Sequence, residues 1–205
     1  MKIFQAGDLT EADRSVFVRG VMNETAQRIL ETAARLFIER GYELVGINEI
    51  IAKSDVAKAT FYTHFKSKEK LCVAWLHAMR DDAAVSLEKL LAQPLPASEL
   101  VTLRFDMVAA RQVATAYRGC PFSNTAAMVP EDNEVRAAVL AYKSASRDGW
   151  HAIAARFGRG PEATAALGDD LFLLYSGAIT EAQNFRDLWP VQAARSAALR
   201  LCETP

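Results

Sequence analysis

Ala26, Ile29, Leu30, Ala33, Leu36 and Phe37 recur at three- and four-residue spacing until Gly41, which predicts a helix opening at Asn23 or Glu24. Two much shorter patterns follow. In the first, Ile47, Ile50 and Ile51 share one side, with Asn48, Glu49 and Lys53 on the other. Ser54-Asp55 then breaks the period, and Asp is one of the few non-glycine residues that tolerates a left-handed turn conformation. The second pattern has Val56, Phe61 and Phe65 as its apolar spine and leaves Lys58, Thr60, Tyr62, Thr63 and His64 outward or on the flanks. From Lys68 to about Leu91 the spacing predicts one long helix. Its apolar side carries Leu71, Trp75, Leu76, Met79, Ala83, Leu87, Leu90 and Leu91, with Ser67 as its cap and Glu69 suited to its positive N-terminal end.

Two prolines in Ala92–Ala97 end that run. Ser98 is the expected cap of another helix, reaching about Tyr117 with Leu100, Leu103, Phe105, Met107, Val108 and Val113 as apolar members. Gly119-Cys120-Pro121-Phe122 reads as a turn opening a short apolar helix to Met128. Glu134 to about Phe157 is the next helix, stopped by Gly158–Pro161. Roughly Ala163 to Leu188 and a stretch opening at Pro190 complete the chain. The expected fold class is therefore all-α.

Two short helices, a turn of about three residues and a polar second helix describe a helix-turn-helix, whose second helix enters the DNA major groove. Corners of two short helices also occur in helical proteins that never meet DNA, so spacing leaves both readings open. The literal residues go further. Val56-Ala57-Lys58-Ala59-Thr60-Phe61-Tyr62-Thr63-His64-Phe65-Lys66-Ser67-Lys68-Glu69-Lys70-Leu71 resembles the recognition helix and following helix start of TetR-type bacterial repressors, roughly V-S-K-G-T-L-Y-x-H-F-x-S-K-E-x-L. Gly41-Tyr42 likewise matches the corner that closes the first helix in that family. The resemblance is sharp from about Glu24 to Leu71 and weaker beyond. Val45-Gly46 and Ala57 depart from the pattern, because both helix starts lose a side-chain cap.

The resemblance implies an N-terminal three-helix head, residues 23–71, preceded by an extension, 1–22, and followed by a larger helical ligand-binding and dimerisation domain, 72–205. It implies DNA contacts from Thr25, Asn48, Lys58, Ala59, Thr60, Tyr62, Thr63, His64 and Lys68. Lys58 can reach guanine or a phosphate, Asn48 adenine or a phosphate, and Ala59 and Thr60 a thymine methyl. Tyr62, His64 and Lys68 would be backbone anchors, and Lys68 lies beside a helix N-terminus that favours phosphate. Thr25 is either a phosphate contact or only a helix-start residue, and His64 has a capping or packing role as its alternative.

Composition narrows the field. In 205 residues the formal net charge is −1, so a DNA reader must concentrate its positive charge locally. With 51% apolar residues a substantial core is expected. Cys72, Cys120 and Cys202 stand apart without CxxC spacing, which argues against zinc or a disulfide framework and fits a reducing cytoplasm. No cofactor or metal is expected, and no membrane-spanning run or signal peptide is read. Motifs for nucleophilic hydrolysis, nucleotide phosphates or zinc proteolysis are missing, and His64, His77 and His151 lie far apart, so an enzyme is not expected.

By the same resemblance the C-terminal domain holds a cavity for a small apolar or aromatic effector. The candidate lining is Phe105, Met107, Tyr117, Phe122, Met128, Tyr142, Trp150, Phe172, Tyr175, Gln183 and Asn184, although such residues at helical spacing also make plain core. The last two helices would pair with their copies in a homodimer. The expected function is repression from a palindromic double-stranded operator, relieved by effector. A helical architectural DNA-binding protein without ligand sensing, and a thiol sensor acting through Cys120, are the alternatives.

Overall fold

The computed structural model describes residues 22–131 and 133–203; the charge-balanced stretch 1–21, nearly all of the expected extension, lies outside them. The described residues form nine α-helices and no strand. They are α1 (Glu24–Arg40), α2 (Ile47–Lys53), α3 (Lys58–His64), α4 (Lys68–Leu91), α5 (Ala97–Ala114), α6 (Pro121–Ala126), α7 (Glu134–Ala154), α8 (Pro161–Phe185) and α9 (Trp189–Glu203). The all-α expectation holds. None of these helices is long and apolar enough to cross a membrane.

The described residues divide into two compact units: 22–83 with 122–131 and 133–139, and 84–121 with 140–203. In the first unit, α1 is opened by Asn23, whose Oδ1 accepts from the Ala26 N–H at 2.9 Å. Such a cap contributes about 1 kcal/mol. The helix buries Ile29, Leu30, Ala33, Leu36 and Phe37, and packs on α2 and α3. Phe37 stacks against Tyr42 and Trp75, with ring centroids 5.6 and 5.3 Å away. α4 begins as the spacing predicts, with Ser67 Oγ accepting from the Lys70 N–H at 3.1 Å. Lys70 pairs with Glu134 at 2.7 Å, and Arg136 donates to the Ala126 carbonyl at the end of α6.

In the second unit, α9 packs on α8 and α5, and Arg159 donates to the Leu201 and Cys202 carbonyls that α9 leaves open. α7 and α8 approach closely at Gly168, where a Cβ would lie 3.0 Å from the His151 Cα. Three expectations change here. Pro96, not Ser98, stands at the cap position of α5; its extended backbone aims the carbonyl at the Glu99 and Leu100 N–H groups, and Ser98 falls inside the first turn. α5 stops at Ala114, short of Tyr117. Ala116 and Tyr117 turn left-handed (φ 51° and 59°), and the Tyr117 N–H bonds back to the Gln112 carbonyl, the pairing that closes a Schellman cap. Leu103, Met107 and Val113, counted among the apolar members of α5, are exposed, whereas Arg104 on the same helix is buried.

Candidate nucleic-acid interface

The candidate interface begins with two helix starts that lack side-chain caps. Gly46 precedes α2 and Ala57 precedes α3, both extended, and neither makes a side-chain cap hydrogen bond. Their first-turn N–H groups are thus free of local side-chain acceptors. Between the helices, Ser54 is almost fully buried and its Oγ donates to the Ile50 carbonyl at 2.7 Å. Asp55 then takes φ 50°, the left-handed turn anticipated for it. The corner is therefore made by two adjacent residues, one tying the end of α2 and one reversing the chain.

On α3, Phe61 is fully buried and Phe65 beyond its end nearly so, with ring centroids 6.3 Å apart. Burying two phenyl groups contributes several kcal/mol, which holds a seven-residue helix too short to persist alone. The opposite side of α3 faces solvent. Lys58, Ala59, Tyr62 and Thr63 are exposed there, while Thr60 and His64 are half-buried on the flanks. Lys58 and Tyr62 are one turn apart, as are Ala59 and Thr63, so the four make two neighbouring rows. The Tyr62 ring stands edge-on to Phe61 at 5.3 Å, and Thr63 returns its hydroxyl to the Ala59 carbonyl at 3.0 Å. Asn48 is exposed on α2, and Thr25 is half-buried in the first turn of α1.

Lys68 differs from the other candidates. Its Nζ lies 4.2 Å from the Tyr42 ring centroid and donates to the Glu43 carbonyl at 3.4 Å. This contact ties the start of α4 to the corner after α1, and leaves an ammonium with three N–H groups capacity for a further acceptor. The sequence marks Tyr42 only as part of the Gly41-Tyr42 corner and not as a site residue. Burial pushes its phenol up to about 12, so it supports the cation as a neutral ring.

Electrostatics sorts the surrounding cations. Arg40 and Lys53 both pair with Glu49, at 2.6 and 3.1 Å, and Arg40 also donates to the Leu44 carbonyl. The Glu49 carboxyl is held below its usual range, first by the Lys53 hydrogen bond. Lys70 is engaged by Glu134. Lys58, Lys66 and Lys68 form no ion pair with any described residue. A chain of net charge −1 thus leaves positive charge unneutralised at α3 and the start of α4.

The candidate lining residues of the C-terminal region are scattered by comparison. Phe105, Trp150 and Tyr175 meet in one ring cluster, with centroids 5.3 to 6.1 Å apart. Tyr142 is buried and lines a cavity of about 20 Å³ together with Tyr175, Val108, Arg111, Gln112, Gly119, Cys120 and Ile179. Gln183 lies against Gly119, where a Cβ would meet its Oε1 at 2.0 Å. Tyr117 and Phe172 are half-buried, while Met107 and Asn184 are exposed. Phe122 is buried and Met128 exposed, both in the first unit. Cys72, Cys120 and Cys202 are all free and buried, and burial pushes the Cys72 thiol up to about 12.

Residues 29–74 match the family model described as bacterial regulatory proteins, tetR family. Over 53 residues the chain is 43% identical to YerO, an uncharacterized HTH-type transcriptional regulator of Bacillus subtilis, covering 26% of this chain and 18% of that protein. Over 54 residues it is 35% identical to the HTH-type transcriptional repressor NemR of Escherichia coli, covering 26% and 27%. Each match spans less than a third of the relative's own length. A TetR-family transcriptional regulator from Streptomyces coelicolor superposes with a TM-score of 0.76 at 28% identity, over 88% of this chain and 87% of that one. Reduced NemR of Escherichia coli superposes with a TM-score of 0.73 at 21% identity, over 87% and 97%, a likeness of fold.

Proposed function

From the premise that the chain belongs to the TetR family of bacterial regulators, we propose that it represses transcription by binding a palindromic DNA operator as a homodimer and is released by a small molecule. In this reading residues 23–71 are the DNA-binding head, 72–205 the sensing and dimerising body, and 1–22 an extension. The observation that carries it is the division of α3, where Phe61 and Phe65 anchor one side while Lys58, Ala59, Tyr62 and Thr63 stand exposed on the other. An α-helix with its side chains is about 10–12 Å across, which fits a major groove roughly 12 Å wide.

The roles sort by chemistry. Lys58 reads guanine or pairs with phosphate, Asn48 meets adenine or phosphate, and Ala59 and Thr60 approach a thymine methyl. Tyr62, Thr63, His64, Lys68 and Thr25 fix the head on the phosphate backbone. A two-fold dimer carries two copies of α3, so half-sites lie about one helical turn, or a small multiple, apart. The last two helices supply the dimer interface, and exposed Leu173, Phe185 and Trp189 on α8 and α9 support that assignment. An effector acts by binding better to the arrangement whose heads no longer match successive grooves.

Selecting bound sequences from random DNA tests this reading. A two-fold symmetric site is expected, with affinity falling as salt rises. Lys58→Ala and Tyr62→Ala should each weaken binding to it by about 1–3 kcal/mol without lowering the melting temperature. Unchanged binding in both variants defeats the assignment. A second reading, an architectural DNA-binding protein without ligand sensing, draws support from the small cavity of about 20 Å³, room for a single water. Screening small molecules for release of the selected DNA separates the two.

A further inference from the structure

Arg104 is a charged residue in the middle of α5, yet only 8% of its surface is exposed. Its guanidinium carbon lies 4.2 Å from the Trp150 ring centroid and 5.2 Å from that of Tyr175. One nitrogen, Nη2, donates to the Ser146 carbonyl at 3.1 Å and to its Oγ at 3.3 Å. The other, Nη1, has no hydrogen-bond partner, and neither has the buried Nε1 of Trp150 beneath it. Two donors in one ring cluster therefore lack acceptors. Among the described residues Arg104 forms no ion pair. Burial is the largest influence on it and opposes its charge, while the groups that favour the charge are the Tyr175 and Tyr142 phenols. Burial also pushes the Tyr142 phenol up, so Tyr142 does not supply the missing negative charge.

Room has been kept for this cation. Gly149 sits inside α7, where glycine weakens a helix, and a Cβ there would come 3.1 Å from Nη1 and 2.5 Å from Leu87 Cδ2. The cavity lined by Val108, Arg111, Tyr142 and Tyr175 begins one helical turn further along α5 and one turn back along α7, and Tyr175 borders both cavity and guanidinium. Arg111, a second cation on its wall, also forms no ion pair with a described residue.

We propose that the body binds a small organic carboxylate, an aromatic monocarboxylic acid, whose anionic group pairs with Arg104 and whose ring fills an enlarged form of the cavity beside Tyr142 and Tyr175. A buried cation with an orphan donor prefers an anionic acceptor to a neutral one. The aromatic walls and Val108 and Ile179 suit a ring. Ligand binding shifts the population from this narrow cavity toward a wider one. This assignment rests on the reading of residues 72–205 as a ligand-sensing body.

The test uses the full chain at pH 7.5 with benzoate, phenylacetate and cinnamate, each beside its neutral amide. Binding is followed by calorimetry and by release of the selected DNA. At least one acid is expected to bind tenfold or more tightly than its amide, and Arg104→Met to abolish that preference while DNA binding without ligand stays unchanged. Arg104→Lys serves as a second variant should the methionine form not fold: it keeps a cation, loses the planar fork, and should reduce the preference. Acid and amide binding equally, or a preference that survives both substitutions, overturns the proposal. Release of DNA by the amides alone also overturns it yet leaves ligand sensing standing. Failure of every acid and every amide overturns the carboxylate assignment and leaves the sensing reading to the wider small-molecule screen.

Discussion

Between Lys58 and Phe65 the residues divide by address, with Phe61 and Phe65 inside and Lys58, Ala59, Tyr62 and Thr63 outside. In the second unit the candidate residues scatter, from buried Phe105 and Trp150 to exposed Met107 and Asn184. The contrast reflects where each region would do its chemistry. A reading helix works from its solvent face, so a polar residue there has few packing reasons for its identity. A sensing interior works from its core, where one aromatic ring serves packing and recognition alike.

The largest effect should come from crossing the division in the head. Phe61→Ala leaves a cavity under α3 and should cost about 3–5 kcal/mol, read by chemical denaturation, whereas Lys58→Ala should leave the midpoint in place. A Phe61→Ala protein with unchanged stability would show that the two sides of α3 are not divided as described. In the second unit, Gly168→Ala opposes two effects. Alanine gains about 1 kcal/mol of helix propensity, but its Cβ would meet the His151 backbone at 3.0 Å, and overpacking costs about 1–3 kcal/mol. The Cα cannot swing aside as a side chain does, so net destabilisation is expected, and a raised melting temperature would show that α7 and α8 can separate at small cost.

Ala57→Ser should act in the opposite direction. The position is already extended and uncapped, so a hydroxyl there should stabilise by about 1 kcal/mol in thermal melts without altering the core. The smallest effect concerns Asp169, which accepts from Arg147 at 2.6 and 2.9 Å and meets His151 Nε2 at 2.7 Å. The Arg147 hydrogen bonds, and then His151, hold its carboxyl well below the ordinary range. A depressed carboxyl contributes stability above its unfolded pKa and loses it as pH falls through the folded value. Asp169→Asn should therefore melt slightly lower than the parent near pH 7, with the gap closing as pH drops below about 4. A gap that widens toward acid would contradict the pairing.

Much of the head was legible beforehand. Apolar spacing placed α1, α2 and α3, Ser54-Asp55 marked the corner, and the missing caps at Gly46 and Ala57 were visible as residue types. Lys68 was legible as a basic helix start, but its seat over Tyr42 was not, because those residues are brought together by the chain reversing between α1 and α4. In the body the helices were equally plain, but the cap and the end of α5 were misplaced, and Arg104 has no distinguishing signal between Leu103 and Phe105. Periodicity suggested that Leu103 and Met107 turn inward and assigned Arg104 no special place; neighbours contributed by α7 and α8 bury Arg104 under two rings.

The amino-acid order alone determined the all-helical character, the turn chemistry and the polar face of α3, since these depend on hydrogen bonds and side-chain spacing within a few residues of chain. Tertiary structure decided which apolar positions are covered, which cations keep a carboxylate partner, and which buried donors end without an acceptor. The burial of Arg104 joins residues far apart in the chain, since Ser146 is 42 positions away, and no local pattern encodes that distance.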